Sequence, residues 1–73
     1  MPLGKRIKNI REAKNLTQED LANKMEISAS TYGQKERNAS KITYENLLKI
    51  AKALDVTILF LLDIESNEFI EKK

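Results

Sequence analysis

The 73-residue sequence has no cysteine, no histidine and no tryptophan, and only two glycines and one proline. Without cysteine there is no disulfide and no thiolate metal site, and the composition is silent on redox compartment. Without histidine, the usual zinc ligands and the commonest general base are missing too. Asp and Glu are scattered over exposed helix positions rather than paired. No G-x-G-x-x-G, P-loop or nucleophile elbow occurs. An enzyme is therefore not expected, nor is a cofactor, a metal or a small-molecule ligand. The opening MPLGKRIKNI is too polar for a signal peptide, and no apolar run approaches the length of a membrane span. No membrane partner is expected, and cytoplasm is the expected location.

What is present is charge and short-range periodicity. The length suits one small domain, near the lower limit at which a single core holds itself together. The net charge of +2 is unevenly spread. Residues 1–41 carry nine Lys/Arg against five Asp/Glu, a net of +4, and residues 42–73 carry four against six, a net of −2. A basic front and an acidic back suit a protein that turns one face to a polyanion.

Leu3, Ile7 and Ile10 fall at i, i+4 and i+7, which predicts a first helix with Lys5, Arg6, Lys8 and Lys14 outside its apolar stripe. Asn15 suits a left-handed stop. Thr17 predicts an N-cap for QEDLANKM, with Asp20 three residues on completing a capping box, and Leu21, Ala22 and Met25 facing inward. Ser28 caps a third helix, Ala29 to Arg37, and Asn38 is read as a second left-handed stop. A fourth helix opens at Thr43, with Leu47, Leu48, Ile50, Ala51 and Leu54 inward. Thr57 caps a short fifth, ILFLLD. The segment from Ile64 to Lys73 has weak periodicity. The fold class is all-α, a compact bundle of five short helices.

Within it, Leu16 to Arg37 has the spacing of a helix-turn-helix: two short amphipathic helices, each with its own cap, joined across a tight turn. The second helix of such a unit is free to lie in the major groove of DNA. LTQEDLANKMEIS, the Glu36-Arg37 pair and ENLLKIAKALDV together resemble the phage-repressor or XRE-type helix-turn-helix family, similar to Cro and repressor DNA-binding domains, over residues 3–62. The resemblance implies a lambda-repressor-like domain over residues 1–63 with a short C-terminal tail, 64–73.

Further implications attach to particular residues. Gln18, first in the second helix, matches the family glutamine that grips a phosphate, and a helix N-terminus favours anions physically. Ala29, Ser30 and Gln34 fall at base-facing positions; Gln pairs in bidentate fashion with adenine, worth about 1–3 kcal/mol of discrimination. Thr17, Ser28, Lys35, Arg37, Asn38 and Lys41 join Gln18 as expected phosphate contacts. Arg11 and Glu36 match an ion pair between the first and third helices, a structural rather than a DNA-contacting role. Tyr32 and Tyr44 read as core or rim, not as stacking platforms for bases.

The pattern is broken in four places. Glu26 stands where the family usually has glycine, and a positive φ there would strain it by about 1 kcal/mol. Lys35 replaces a residue that is usually large and apolar. Gly33 weakens the third helix by about 1 kcal/mol relative to Ala; it reads equally as a point of close approach to the DNA backbone and as a tolerated weak residue on an exposed face. With no arginine on the reading face, specificity is expected to be modest or to rest on DNA shape and half-site spacing. Lastly, VTILFLLDI is richer in apolar residues than one small bundle can bury. Leu59 and Phe60, with Ile64, Phe69 and Ile70, are therefore expected to form a homodimer interface. The expected function is a sequence-specific, DNA-binding transcriptional regulator, repression favoured, binding a short palindrome in double-stranded DNA as a homodimer. The alternative is an antitoxin-like or adaptor module acting through protein contact at its apolar C-terminal end.

Overall fold

Capping residues punctuate the chain almost wherever their chemistry allows. The computed structural model describes residues 3–62, and within that span it has five α-helices and no strand. Helix α1 (Leu3–Ala13) is followed by Asn15 in the left-handed region, φ 60°, and the N–H of Leu16 returns to the Arg11 carbonyl at 3.0 Å. Helix α2 (Gln18–Met25) opens on Thr17, whose Oγ1 accepts from the Asp20 N–H at 3.0 Å; the Thr17 N–H in turn donates to Asp20 Oδ2 at 2.8 Å. These hydrogen bonds hold the Asp20 carboxyl below its ordinary pKa. Helix α2 ends at Glu26, φ 62°, so the turn does keep the backbone that favours glycine, and a glutamate adopts it.

Helix α3 (Ala29–Arg37) opens on Ser28, which accepts from the Thr31 N–H at 3.0 Å. Its exit departs from the expected left-handed stop. Asn38 has φ −107° and ψ 33°, and the chain passes into a 3₁₀ turn, Ala39–Lys41. The Gln34 carbonyl accepts twice from Asn38, from its backbone N–H at 2.9 Å and from Nδ2 at 3.1 Å, so the side chain folds back onto the last turn. Helix α4 (Tyr44–Leu54) opens on Thr43 and closes on Asp55, a third left-handed residue, φ 61°. Helix α5 (Ile58–Leu62) begins with the Phe60 N–H donating to Thr57 Oγ1 at 3.0 Å. Asp63, expected at its end, lies outside the described residues, as does the whole 64–73 tail with Ile64, Phe69 and Ile70.

Ile7, Ile10, Leu21, Ala22, Tyr32, Ala39, Leu47, Ile50, Ala51, Leu54 and Leu61 form the core. On α4 the buried positions follow the i, i+3, i+4, i+7 rule, and Leu48, one residue off that stripe, is 40% exposed rather than inward as expected. Tyr44 is a rim residue, exposed on the first turn of α4. Helix α3 packs against α1 on one side and α2 on the other, and α5 closes on α1 and α4. The α1–α3 approach depends on Gly4, since a Cβ there would collide with the Glu36 carbonyl oxygen. With two sides of α3 covered, the remaining one faces out.

Candidate nucleic-acid interface

The orientation of that outward face is set from beneath by one carboxylate. Glu36, 5% exposed, accepts from Arg11 Nε at 2.9 Å, from Tyr32 Oη at 3.0 Å and from Gln18 Nε2 at 3.0 Å. Arg11 Nη2 approaches Glu36 at 3.4 Å, and Nη1 donates to the Leu16 carbonyl at 2.8 Å. The ion pair between α1 and α3 is thus embedded in a network that also ties in α2. Burial works to raise the Glu36 pKa, but the hydrogen bonds from Arg11, Gln18 and Tyr32 outweigh it and hold the carboxyl below its ordinary value. Burial, reinforced by the Glu36 charge, pushes the Tyr32 hydroxyl far up, so it stays a donor at any working pH. Tyr32 as a hydrogen-bonding member is the residue that sequence reasoning missed. Its signal was the i, i+4 spacing to Glu36 on the buried side of α3.

On the opposite side, Ala29, Ser30 and Gln34 are all exposed, with Thr31 among them. Gln34 shares a shallow hollow with Thr31, Lys35, Asn38 and Lys41, which are joined there by Thr43 and Asn46 from the start of α4. Lys35 is half-buried. Three expected contacts are therefore grouped beside Gln34, at the C-terminal end of α3. Gln18 and Arg37 lie elsewhere, both beside Gly33. Gly33 itself is buried rather than exposed, because those two side chains cover it.

Two expected phosphate ligands are already engaged. Ser28 Oγ caps α3 and also donates to Thr31 Oγ1 at 2.8 Å, while Thr17 Oγ1 caps α2. The Gln18 amide is engaged on one side only: one Nε2 hydrogen goes to Glu36, leaving the second and Oε1 without a hydrogen-bonding partner among the described residues.

On α5, Leu59 is 53% and Phe60 44% exposed. Phe60 is not wholly bare. The Arg6 guanidinium stands 4.7 Å from its ring centroid, and Arg6 Nη2 donates to the Phe60 carbonyl at 2.7 Å. Arg6, which the periodicity puts outside the apolar stripe of α1, pins α5. No helix among the described residues is long and apolar enough to cross a membrane.

A bundle of five short helices, with α2 and α3 joined by a left-handed turn and the outer side of α3 left open, defines the class. The Helix-turn-helix family profile matches residues 7–61, most of the chain. The chain is 40% identical over 58 residues to the cryptic phage CTXphi transcriptional repressor RstR of Vibrio cholerae, covering 80% of this chain and 52% of that protein. It is 37% identical over 62 residues to the uncharacterized HTH-type transcriptional regulator YqaE of Bacillus subtilis, covering 85% of this chain and 53% of the other. A second Bacillus subtilis protein, the uncharacterized HTH-type transcriptional regulator YobD, is 32% identical over 62 residues, covering 85% and 55%. The chain belongs to the helix-turn-helix family, of the phage-repressor (XRE) type. It spans about half the length of the curated relatives it matches. No solved structure matches it.

Proposed function

We propose that this chain is a sequence-specific, DNA-binding transcriptional regulator that represses from a short palindromic operator, bound as a homodimer with α3 in the major groove. The observation that carries the reading is the division of α3. Tyr32 and Glu36 anchor it from within, while Ala29, Ser30 and Gln34 stand exposed along its outer side. A phage repressor among the relatives supports the same reading. Ala29 meets a thymine methyl, Ser30 donates or accepts, and Gln34 pairs with adenine. Lys35, Asn38 and Lys41 hold phosphates beside Gln34, and Gln18 and Arg37 hold them at the start of α2. Thr17 and Ser28 serve as caps.

The test is selection from pooled random duplexes, with anisotropy titrations at low and physiological salt. Enrichment of a two-fold symmetric site, with affinity falling steeply as salt rises, is the expected result. Binding without enrichment, or none, overturns it. The dimer is assigned to Leu59 and the part of Phe60 that Arg6 leaves open. Phe60→Glu should give a folded monomer with weaker operator binding, and a variant that remains dimeric by light scattering would place the interface elsewhere.

The same apolar pair favours one second reading, an antitoxin-like or adaptor module that docks a protein partner through α5. Salt separates the two, because docking through apolar surface releases no condensed counterions.

A further inference from the structure

Glycine is the weakest helix former after proline, yet Gly33 stands in the middle of the nine-residue α3. A Cβ at that position would lie 3.3 Å from Arg37 Nη1, 3.5 Å from Gln18 Oε1 and 3.7 Å from Gln18 Nε2. The geometry has a simple origin. Helical side chains lean toward the helix N-terminus, so the residue that covers position 33 on α3 is the one four places on, Arg37. Gln18 reaches the same spot from the first turn of α2. The first distance is tight: any side chain at 33 makes the guanidinium give way, and a long one removes it from the spot.

The two residues that meet over Gly33 differ in how firmly they are held. The Gln18 amide is fixed by its bond to Glu36. Arg37 is exposed, and among the described residues its guanidinium has neither a hydrogen bond nor an ion pair. The space over Gly33, which any side chain larger than a methyl group would fill, is where the guanidinium comes near Gln18. Resting on the DNA-binding reading above, we propose that Gly33 is a positioning residue. Its missing side chain seats the Arg37 guanidinium next to the Gln18 amide at the start of α2, so that both grip the same DNA phosphate. A guanidinium lying flat there offers paired N–H donors, and the amide adds its second Nε2 hydrogen.

The experiment uses the duplex selected by the wild-type protein and measures its Kd across a salt series. The variants are Gly33→Ala, Gly33→Leu, Arg37→Ala and the double Gly33→Leu/Arg37→Ala. Alanine asks the guanidinium to yield only a few tenths of an ångström and should keep affinity within about twofold. Leucine displaces it and should weaken binding about tenfold, the loss of one charged hydrogen-bonded contact. It should also lower the slope of log K against log salt by about 0.9, the signature of one phosphate. Arg37→Ala should match it, and the double variant should lose nothing more. A merely structural role for Gly33 would leave the salt slope unchanged. Leucine is a better helix former than glycine, and thermal melts by circular dichroism check that the fold survives; Gly33→Met, with a flexible chain, replaces it if the melt is lost. Unchanged affinity and slope in Gly33→Leu, or a loss fully additive with Arg37→Ala, overturns the proposal. A wild-type protein that binds no duplex overturns the DNA-binding reading as well, whereas wild-type binding insensitive to Gly33→Leu overturns this inference alone.

Discussion

Helices α3 and α4 are of similar length, nine and eleven residues, and different forces hold them. Helix α4 buries Leu47, Ile50, Ala51 and Leu54, an apolar stripe whose attraction to the core has no preferred direction. Helix α3 buries one tyrosine, one glycine and one glutamate. Its stripe is too poor in apolar atoms to set its rotation by burial, so hydrogen bonds from Arg11 on α1 and Gln18 on α2 to Glu36 set it instead, with Tyr32 orienting the carboxylate from within α3. The difference teaches why a charge sits in the core of so small a protein. A helix that must present particular side chains outward needs its roll about its own axis specified, and a directional network supplies that where oily contact does not.

The contrast is broken most directly at Glu36. Glu36→Ala strands the buried Arg11 charge and should cost about 3–5 kcal/mol, enough to leave a domain of this size barely folded, as read by urea denaturation. Ile50→Ala should cost about 2–5 kcal/mol through a cavity in the α4 stripe. Acid separates these two losses even where they are similar in size. The folded-state pKa of Glu36 lies below its unfolded value, so its contribution is present above the unfolded pKa and is lost as pH falls through the folded one. Wild-type stability should therefore decline as pH drops below about 4, near the unperturbed carboxylate range. Ile50→Ala should run parallel to the wild type, and Glu36→Ala should show a flatter acid limb. It is not a flat one, because the Asp20 pKa is lowered in the fold as well. Equal acid slopes in the two variants would end the distinction.

Smaller effects sharpen it. Glu26→Gly should relieve the left-handed backbone between α2 and α3 and stabilise the protein by about 1 kcal/mol, raising the melting temperature by about 4–8 °C. An unchanged or lower melting point would mean that the glutamate carries no strain there. Gln34→Ala, on the open side of α3, should change stability by no more than about 0.5 kcal/mol while relaxing preference at one base pair by about 1–3 kcal/mol. A binding profile unaltered at every position would remove Gln34 from the reading face.

Much of this architecture is legible along the chain because it is local. Thr17 with Asp20, Ser28, Thr43 and Thr57 each act within three residues of themselves, and Asn15 ends α1 by its own backbone preference. The exit of α3 shows the limit. Asn tolerates a left-handed stop, but it can also bond a carbonyl four residues back, and at Asn38 the second option wins. The apolar richness of residues 56–62 likewise signals unburied surface, yet Leu48 joins Leu59 and Phe60 outside for a reason of register on α4.

Composition, caps and helical periodicity by themselves determined five helices, their order and nearly all their boundaries; the family came from the resemblance of the residue pattern and from the comparisons. Contacts between distant residues had to wait for the packed molecule. The Glu36 carboxylate gathers partners from three helices, Arg6 reaches Phe60 across 54 positions, and Gly33 becomes buried under Gln18 and Arg37. Apart from the i, i+4 pairs Tyr32–Glu36 and Gly33–Arg37 within α3, and the Arg11–Glu36 pair that the family resemblance implies, these contacts have no periodic or capping signature, because each depends on the distance and angle at which two helices meet. Those are settled only when the apolar stripes close into one core and bring the polar side chains into hydrogen-bonding range.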